Sequence, residues 1–154
     1  MIDIYSKGEY PSNALSNFVA YEFEVDDVKC ASMEGFLQSL KFKSIKKQHE
    51  ICMLIGKEAK FSAGRLRTFL WKFTQTLYWN GQKYKRSSSA YQELITKAYD
   101  CLWENEQFRN TLLSTGNESL CHKMGGHDIR KTVLTEQEFI GQLNRLRNAN
   151  GYSR

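Results

Sequence analysis

Met33, Phe36, Leu37 and Leu40 follow the i, i+3, i+4, i+7 spacing of a buried helix face. Glu34, Gln38 and Lys41 fall on a second row beside it. Ser32 stands one residue ahead, where it caps the helix. A carboxylate, an amide and an ammonium on one row beside an apolar anchor describe a polar ligand site. They describe an ordinary amphipathic helix equally well.

The same patterning marks the other elements. Residues 2–5 read as a short strand. Residues 18–25 alternate, with Val19, Tyr21, Phe23 and Val25 on one side and Phe18, Ala20, Glu22 and Glu24 on the other. Asp26-Asp27 makes a tight turn without the glycine of the strongest hairpin signal, and residues 28–31 return as the paired strand. Residues 48–55 read as a helix that breaks at Gly56 and resumes over 57–63. Asn80-Gly81 between aromatic, alternating flanks predicts a hairpin. Helices follow over 90–105 and 107–114, the second ending before Thr115-Gly116. Residues 120–124 read as a short strand ahead of the Gly125-Gly126 loop. Thr135 and Glu138 form a capping box for a last helix whose apolar side is Phe139, Leu143 and Leu146. The chain from Asn148 to Arg154 reads as a frayed end.

Length and composition narrow the class. The 154 residues make one domain (1–154) with a core large enough to need no staples. The net charge of +5 favours anionic partners. Lys41, Lys43, Lys46 and Lys47 are either a solvated helix C-terminus or a phosphate-attracting rim. None of the four cysteines sits in a Cys-x-x-Cys pair, so no structural zinc is expected. The N-terminus has no signal pattern, and no apolar run approaches the roughly 20 residues that span a bilayer. The expectation is a reducing, cytoplasmic setting, free thiols and no membrane partner.

Five short motifs line up in one order: Ala14-Leu15-Ser16-Asn17-Phe18, residues 32–42, Gly64-Arg65, Leu112 to Gly116, and Leu143 to Arg147. Together they resemble the NADAR family, also called YbiA-like, over roughly residues 14–147. The departures are those of a divergent member. Gly35 stands where His is usual, His122 lies near a usual Glu, no Trp-Gly follows Asp128, and residues 75–86 read as an insertion. The resemblance implies a compact α+β domain, mostly helical with small β-hairpins. It implies action on N-glycosidic bonds: family members hydrolyse phosphoribosyl-amine pyrimidine intermediates of riboflavin synthesis, and others remove ADP-ribose from guanine bases.

Breaking such a bond builds positive charge on the ribose, which a carboxylate can stabilise while it or a partner activates water. Glu34 is the leading candidate, with Asp128 as the second carboxylate. At a helix N-terminus Glu34 is expected to stay ionised; its alternative role is to complement the helix dipole. Asn17 would hold a ribose or phosphate oxygen, or close an Asx-turn. Phe18 would stack on a base, or sit in the core. Ser32, Gln38 and Lys41 complete the row around Glu34. Arg65 would clamp a phosphate. Thr115 and Gly116 would offer backbone N–H groups, or end a helix. His122 completes the substrate-binding set, and neither metal nor cofactor is expected. The partner is then a small-molecule nucleotide or ADP-ribosylated substrate, met by a monomer. Nucleic acid enters if the substrate is an ADP-ribosylated base. Two rivals remain: a non-catalytic nucleotide-binding protein, and a basic nucleic-acid-binding protein that uses residues 41–47 and the hairpin.

Overall fold

Ser32 has extended backbone, and its hydroxyl accepts from Gly35 N at 3.1 Å, so helix α1 starts at Met33 and runs over Met33–Ser39. In the computed structural model, which describes residues 1–152, this short helix is the centre of the core. Met33, Phe36, Leu37 and Leu40 are all within 2% of complete burial. Phe36 meets Trp79 edge-on at 4.8 Å and Phe23 at 6.4 Å, so both hairpins pack on the same side chain.

Those hairpins form where the turns demand them. Strands β2 (Phe23–Val25) and β3 (Val28–Cys30) pair antiparallel with Val25 opposite Val28. Asp26 and Asp27 both take left-handed φ, at 50° and 63°, the geometry that a two-residue turn requires. Tertiary contacts hold Asp26 there: Trp79 donates its indole N–H at 2.8 Å, and Lys97 pairs with the carboxylate. The first half of the expected strand, residues 18–22, is irregular, although Tyr21 is buried and Glu22 exposed as the alternation requires. Strands β4 (Thr76–Trp79) and β5 (Gln82–Lys85) pair around Asn80-Gly81 as expected.

Helix α2 covers Ile45–Cys52, starting and ending three residues ahead of the expectation, because the Ser44 hydroxyl caps it by accepting from Lys47 N. Lys46 and Lys47 therefore stand in the first turn of a helix, not in the last turn of its predecessor. Gly56, with φ of 56°, opens helix α3 (Gly56–Lys60). Helix α4 (Gly64–Thr74) starts at the Gly64-Arg65 motif and was not among the expected elements. Helices α5 (Ser89–Trp103), α6 (Glu106–Ser114) and α7 (Glu136–Arg147) begin at Ser88, Asn105 and Thr135, whose side chains accept N-cap bonds. The Thr135–Glu138 capping box is present.

Between α6 and α7 the chain adds strand β6 (Leu120–Cys121), parallel to β1 (Ile2–Asp3). Both are shorter than the expected strands over 2–5 and 120–124. Their pairing carries His122 to the N-terminal segment, where His122 Nδ1 donates to Ile4 O at 2.7 Å. Arg86, 1% exposed, ties the other flank: its guanidinium binds both oxygens of Glu138 (3.0 and 2.5 Å) and donates to Thr132 O at 2.9 Å. The expected frayed end instead makes a wide helical turn over Asn148–Tyr152, with Asn150 Nδ2 donating to Leu146 O. Ser153 and Arg154 lie outside the described residues. Among the described residues, seven helices and three two-stranded sheets make one α+β domain.

Candidate active site

Six parts of the chain meet around a cleft of about 410 Å³. Helix α1 supplies Glu34, Leu37 and Gln38. The loop before β2 supplies Ser16, Asn17 and Phe18. Helix α3 supplies Lys57 and Lys60, with Phe61 just beyond. His122, Met124, Gly125 and Gly126 come from the loop after β6, and residues 132–135 with Phe139 close the far side. Tyr5, Ser6 and Lys7 complete the wall. Apolar and aromatic walls with a few convergent polar groups are the usual make-up of a small-molecule site.

Glu34 owes its position to its neighbours. Its backbone N–H, one of the unpaired donors of a helix N-terminus, is taken by Asn17 O at 3.0 Å. Its carboxylate accepts from Gln38 Nε2 at 2.8 Å, one helical turn away. Burial pushes its pKa up, against the Gln38 hydrogen bond and the charges of Lys41, Lys60 and His122. This corrects the expectation of an ordinarily ionised helix-terminal glutamate: desolvation is the largest influence on the group. Gln38 is 7% exposed and its Oε1 has no partner.

Asn17 is aimed by α5. The hydroxyl of fully buried Tyr99 donates to Asn17 Oδ1 at 3.0 Å, which leaves Nδ2 as a donor. Phe18 is half-buried on the wall, with Lys60 Nζ 6.0 Å from its ring centre. Ile4 O can only accept, so His122 donates from Nδ1, and in the neutral form of the ring Nε2 keeps a lone pair. Among the described residues, no three His, Cys, Asp or Glu side chains gather as a metal set.

Glu34, Asn17, Phe18, Gln38 and His122 therefore share one cleft, and the other candidates stand elsewhere. Lys41 is half-buried and is not part of the cleft lining; burial lowers its pKa to about 8 against the pull of Glu34. The Ser32 hydroxyl accepts from Gly35 N and donates to Leu54 O at 2.8 Å in a fully buried position, so it caps α1 and does not line the cleft. Arg65 is exposed on α4, outside the cleft. Thr115 N and Gly116 N bond Leu112 O and Leu113 O, and Thr115 Oγ1 accepts from buried Arg147 at 2.8 Å. The Thr-Gly and Leu-x-x-x-Arg motifs thus hold each other. Asp128 points away from the cleft to Arg130, whose backbone N–H and guanidinium hold its carboxyl below the usual range.

Gly35 has a steric cause. A Cβ there would meet Leu54 O at 2.7 Å, Ile51 O at 2.9 Å and Cys52 O at 3.0 Å. It lies under the last carbonyls of α2, on the side of α1 away from the cleft. Lys57, Lys60, Phe61 and Tyr99 were not singled out from the sequence. The first two sit at i, i+3 on a helix whose start was read as a break.

In fold, the chain is similar to the NMR structure of the E. coli protein YbiA, with a TM-score of 0.62 and 21% identity over 96% of this chain and 83% of that one. In sequence, it is 37% identical over 150 residues to an uncharacterized 17.1 kDa protein in the Gp30-rIII intergenic region of Enterobacteria phage T4, covering 96% of this chain and 97% of the relative. The family model that matches is not NADAR but one described as Bacteriophage protein GP30.3, over residues 9–148. The chain, with its YbiA-like α+β domain, belongs to the bacteriophage protein GP30.3 family.

Proposed function

We propose that the cleft hydrolyses an N-glycosidic bond between a heterocyclic base or amine and a ribose phosphate or ADP-ribose, the chemistry that the NADAR resemblance implies. The observation that carries the reading is the Glu34 carboxyl: desolvated, raised in pKa and lining the cleft. A carboxyl whose ionisation is opposed by burial can serve as a general acid. Glu34 gives its proton to the departing nitrogen as the C–N bond breaks. The carboxylate left behind faces the ribosyl cation and then takes a proton from the water that adds to the anomeric carbon. Asn17 Nδ2 and His122 Nε2 orient sugar hydroxyls or the water. Phe18 and Phe61 offer faces for the base, and Lys7, Lys57 and Lys60 offer charge for phosphate.

The test is to incubate the chain with a phosphoribosylamino-pyrimidine and with ADP-ribosylated guanosine, and to chromatograph for released base. Turnover that disappears in Glu34→Gln supports the reading. Tight binding without turnover, unchanged in Glu34→Gln, would make the cleft a nucleotide-capturing module.

A further inference from the structure

Helix α4 turns its apolar row outward. Leu66, Phe69, Leu70 and Phe73 keep the spacing of one helix face, yet they are 67%, 62%, 39% and 78% exposed. The helix is seated by Trp71 on the opposite side, 2% exposed. The rings of Phe69 and Phe73 stack at 6.1 Å, so the row is a continuous ridge. Amphipathic helices of globular proteins turn such a row to the core. Here no element among the described residues covers it.

Cations flank the ridge on both sides. At roughly 100° per residue, Arg65 and Lys72 border one edge and Arg67 the other. The Arg67 guanidinium lies 5.5 Å from the Phe42 ring centre and shares a depression with Lys43 and Lys47. No carboxylate occurs in the sequence between Glu58 and Glu93.

We propose that α4 is a docking surface for an anionic phospholipid bilayer, with the helix lying in the plane of the headgroups. A helix edged by Lys and Arg, presenting Phe and Leu, has the composition of an interfacial helix. Its convex shape matters: partner helices are received in grooves, whereas a ridge enters the headgroup–acyl boundary. Between the flanking cations the row has no hydrogen-bonding side chain. Half of it is aliphatic, which gives nucleic-acid bases nothing to stack on. A second copy of α4 would set Arg65, Arg67 and Lys72 against their like, with no acidic residue in the helix to answer them. Among the described residues no helix is long and apolar enough to cross a membrane. The expectation of no membrane partner rested on the length of apolar runs, which bears on crossing and not on lying at the surface.

Co-sedimentation of the full chain with vesicles tests this. The protein is expected to pellet with phosphatidylglycerol–phosphatidylcholine vesicles at low salt, to stay in solution with pure phosphatidylcholine, and to be released as salt rises. Phe69→Ser with Phe73→Ser, at exposed positions that leave the fold intact by thermal melting, should lower the partition coefficient about tenfold or more. Arg65→Glu with Lys72→Glu should abolish the preference for anionic vesicles. Absence of pelleting with anionic vesicles overturns the proposal. So does pelleting that the Phe variants leave unchanged. Binding of single-stranded DNA or an acidic helical peptide in place of vesicles would likewise overturn it and assign the ridge to that partner.

Discussion

Gln38 donates its side-chain amide to the Glu34 carboxylate across one turn of α1, at 2.8 Å, while its own Oε1 is buried without a partner. The pair is half satisfied. A buried acceptor left open is costly, and native structures hold few of them. Both residues belong to the wall of the cleft.

Glu34→Gln should stabilise the protein at neutral pH. The Glu34 pKa is raised in the folded state, so its contribution is fully present below the ordinary glutamate value of about 4.3 and is lost as pH rises through the folded value. The neutral amide avoids that loss while keeping an oxygen for Gln38 to donate to. Thermal melts from pH 4 to 8 should show the variant gaining on the natural protein as pH rises, with no difference at the acid end.

Lys41→Met should stabilise as well, with a different window. Burial lowers the Lys41 pKa to about 8. Its contribution is therefore present above the unfolded value and lost as pH falls through about 8. The advantage of the variant should be full near pH 7 and shrink steadily above pH 8. Removing the ammonium also removes a charge that favours ionised Glu34, so the Glu34 pKa should climb further, visible by carbon-detected NMR titration of the carboxyl.

Gly35→Ala should destabilise by about 1–3 kcal/mol, the range for overpacking a close contact. The three carbonyl oxygens within 3.0 Å of the added carbon belong to the backbone around the end of α2 and cannot swing aside. Gly35→His should cost more. Chemical denaturation of both variants checks this, and a stable Gly35→His would overturn the packing account.

Arg86→Met should cost about 3–5 kcal/mol, because it leaves Glu138 partly buried without its cation. Burial opposes ionisation of Glu138, but hydrogen bonds from Arg86, Thr135 and Gln92 hold its carboxyl below the usual range. That contribution is present above the unfolded value and lost as pH falls, so the natural protein should be more acid-sensitive than the variant. Denaturation midpoints at pH 7 and pH 4 measure both effects.

Asp128→Asn should leave turnover unchanged, whereas Glu34→Gln should lower it by about 10²–10⁴-fold, the range for a general acid. Asp128 is engaged by Arg130 outside the cleft. Single-turnover assays of base release separate the two, and a large loss in Asp128→Asn would return that residue to the site.

Much of the local structure was legible because its causes are local. The Ser32 cap, the Asn80-Gly81 turn and the Thr135–Glu138 capping box each need only residues a few positions apart. Leu66, Phe69, Leu70 and Phe73 keep a helix spacing in α4, but nothing in that spacing says that the row faces solvent and not the core. The candidate site was legible in part. Glu34 and Gln38 share a helix row, and Asn17 precedes a strand, but nothing local says that Thr115 answers Arg147 or that Asp128 turns to Arg130. Ordered motifs flag residues worth keeping without distinguishing those that hold the fold from those that face a ligand.

By itself, then, the sequence determined the α1 face, the caps, the tight turns and the row that carries Glu34, because side chains three and four apart on a helix, or two apart on a strand, meet whatever surrounds them. Only the tertiary structure decided that α3 and the loop after β6 close over that row and that Gly35 lies beneath α2. It alone decided that Glu34 is desolvated enough to have a raised pKa. Desolvation depends on what packs from distant parts of the chain, and no spacing within one element reports it.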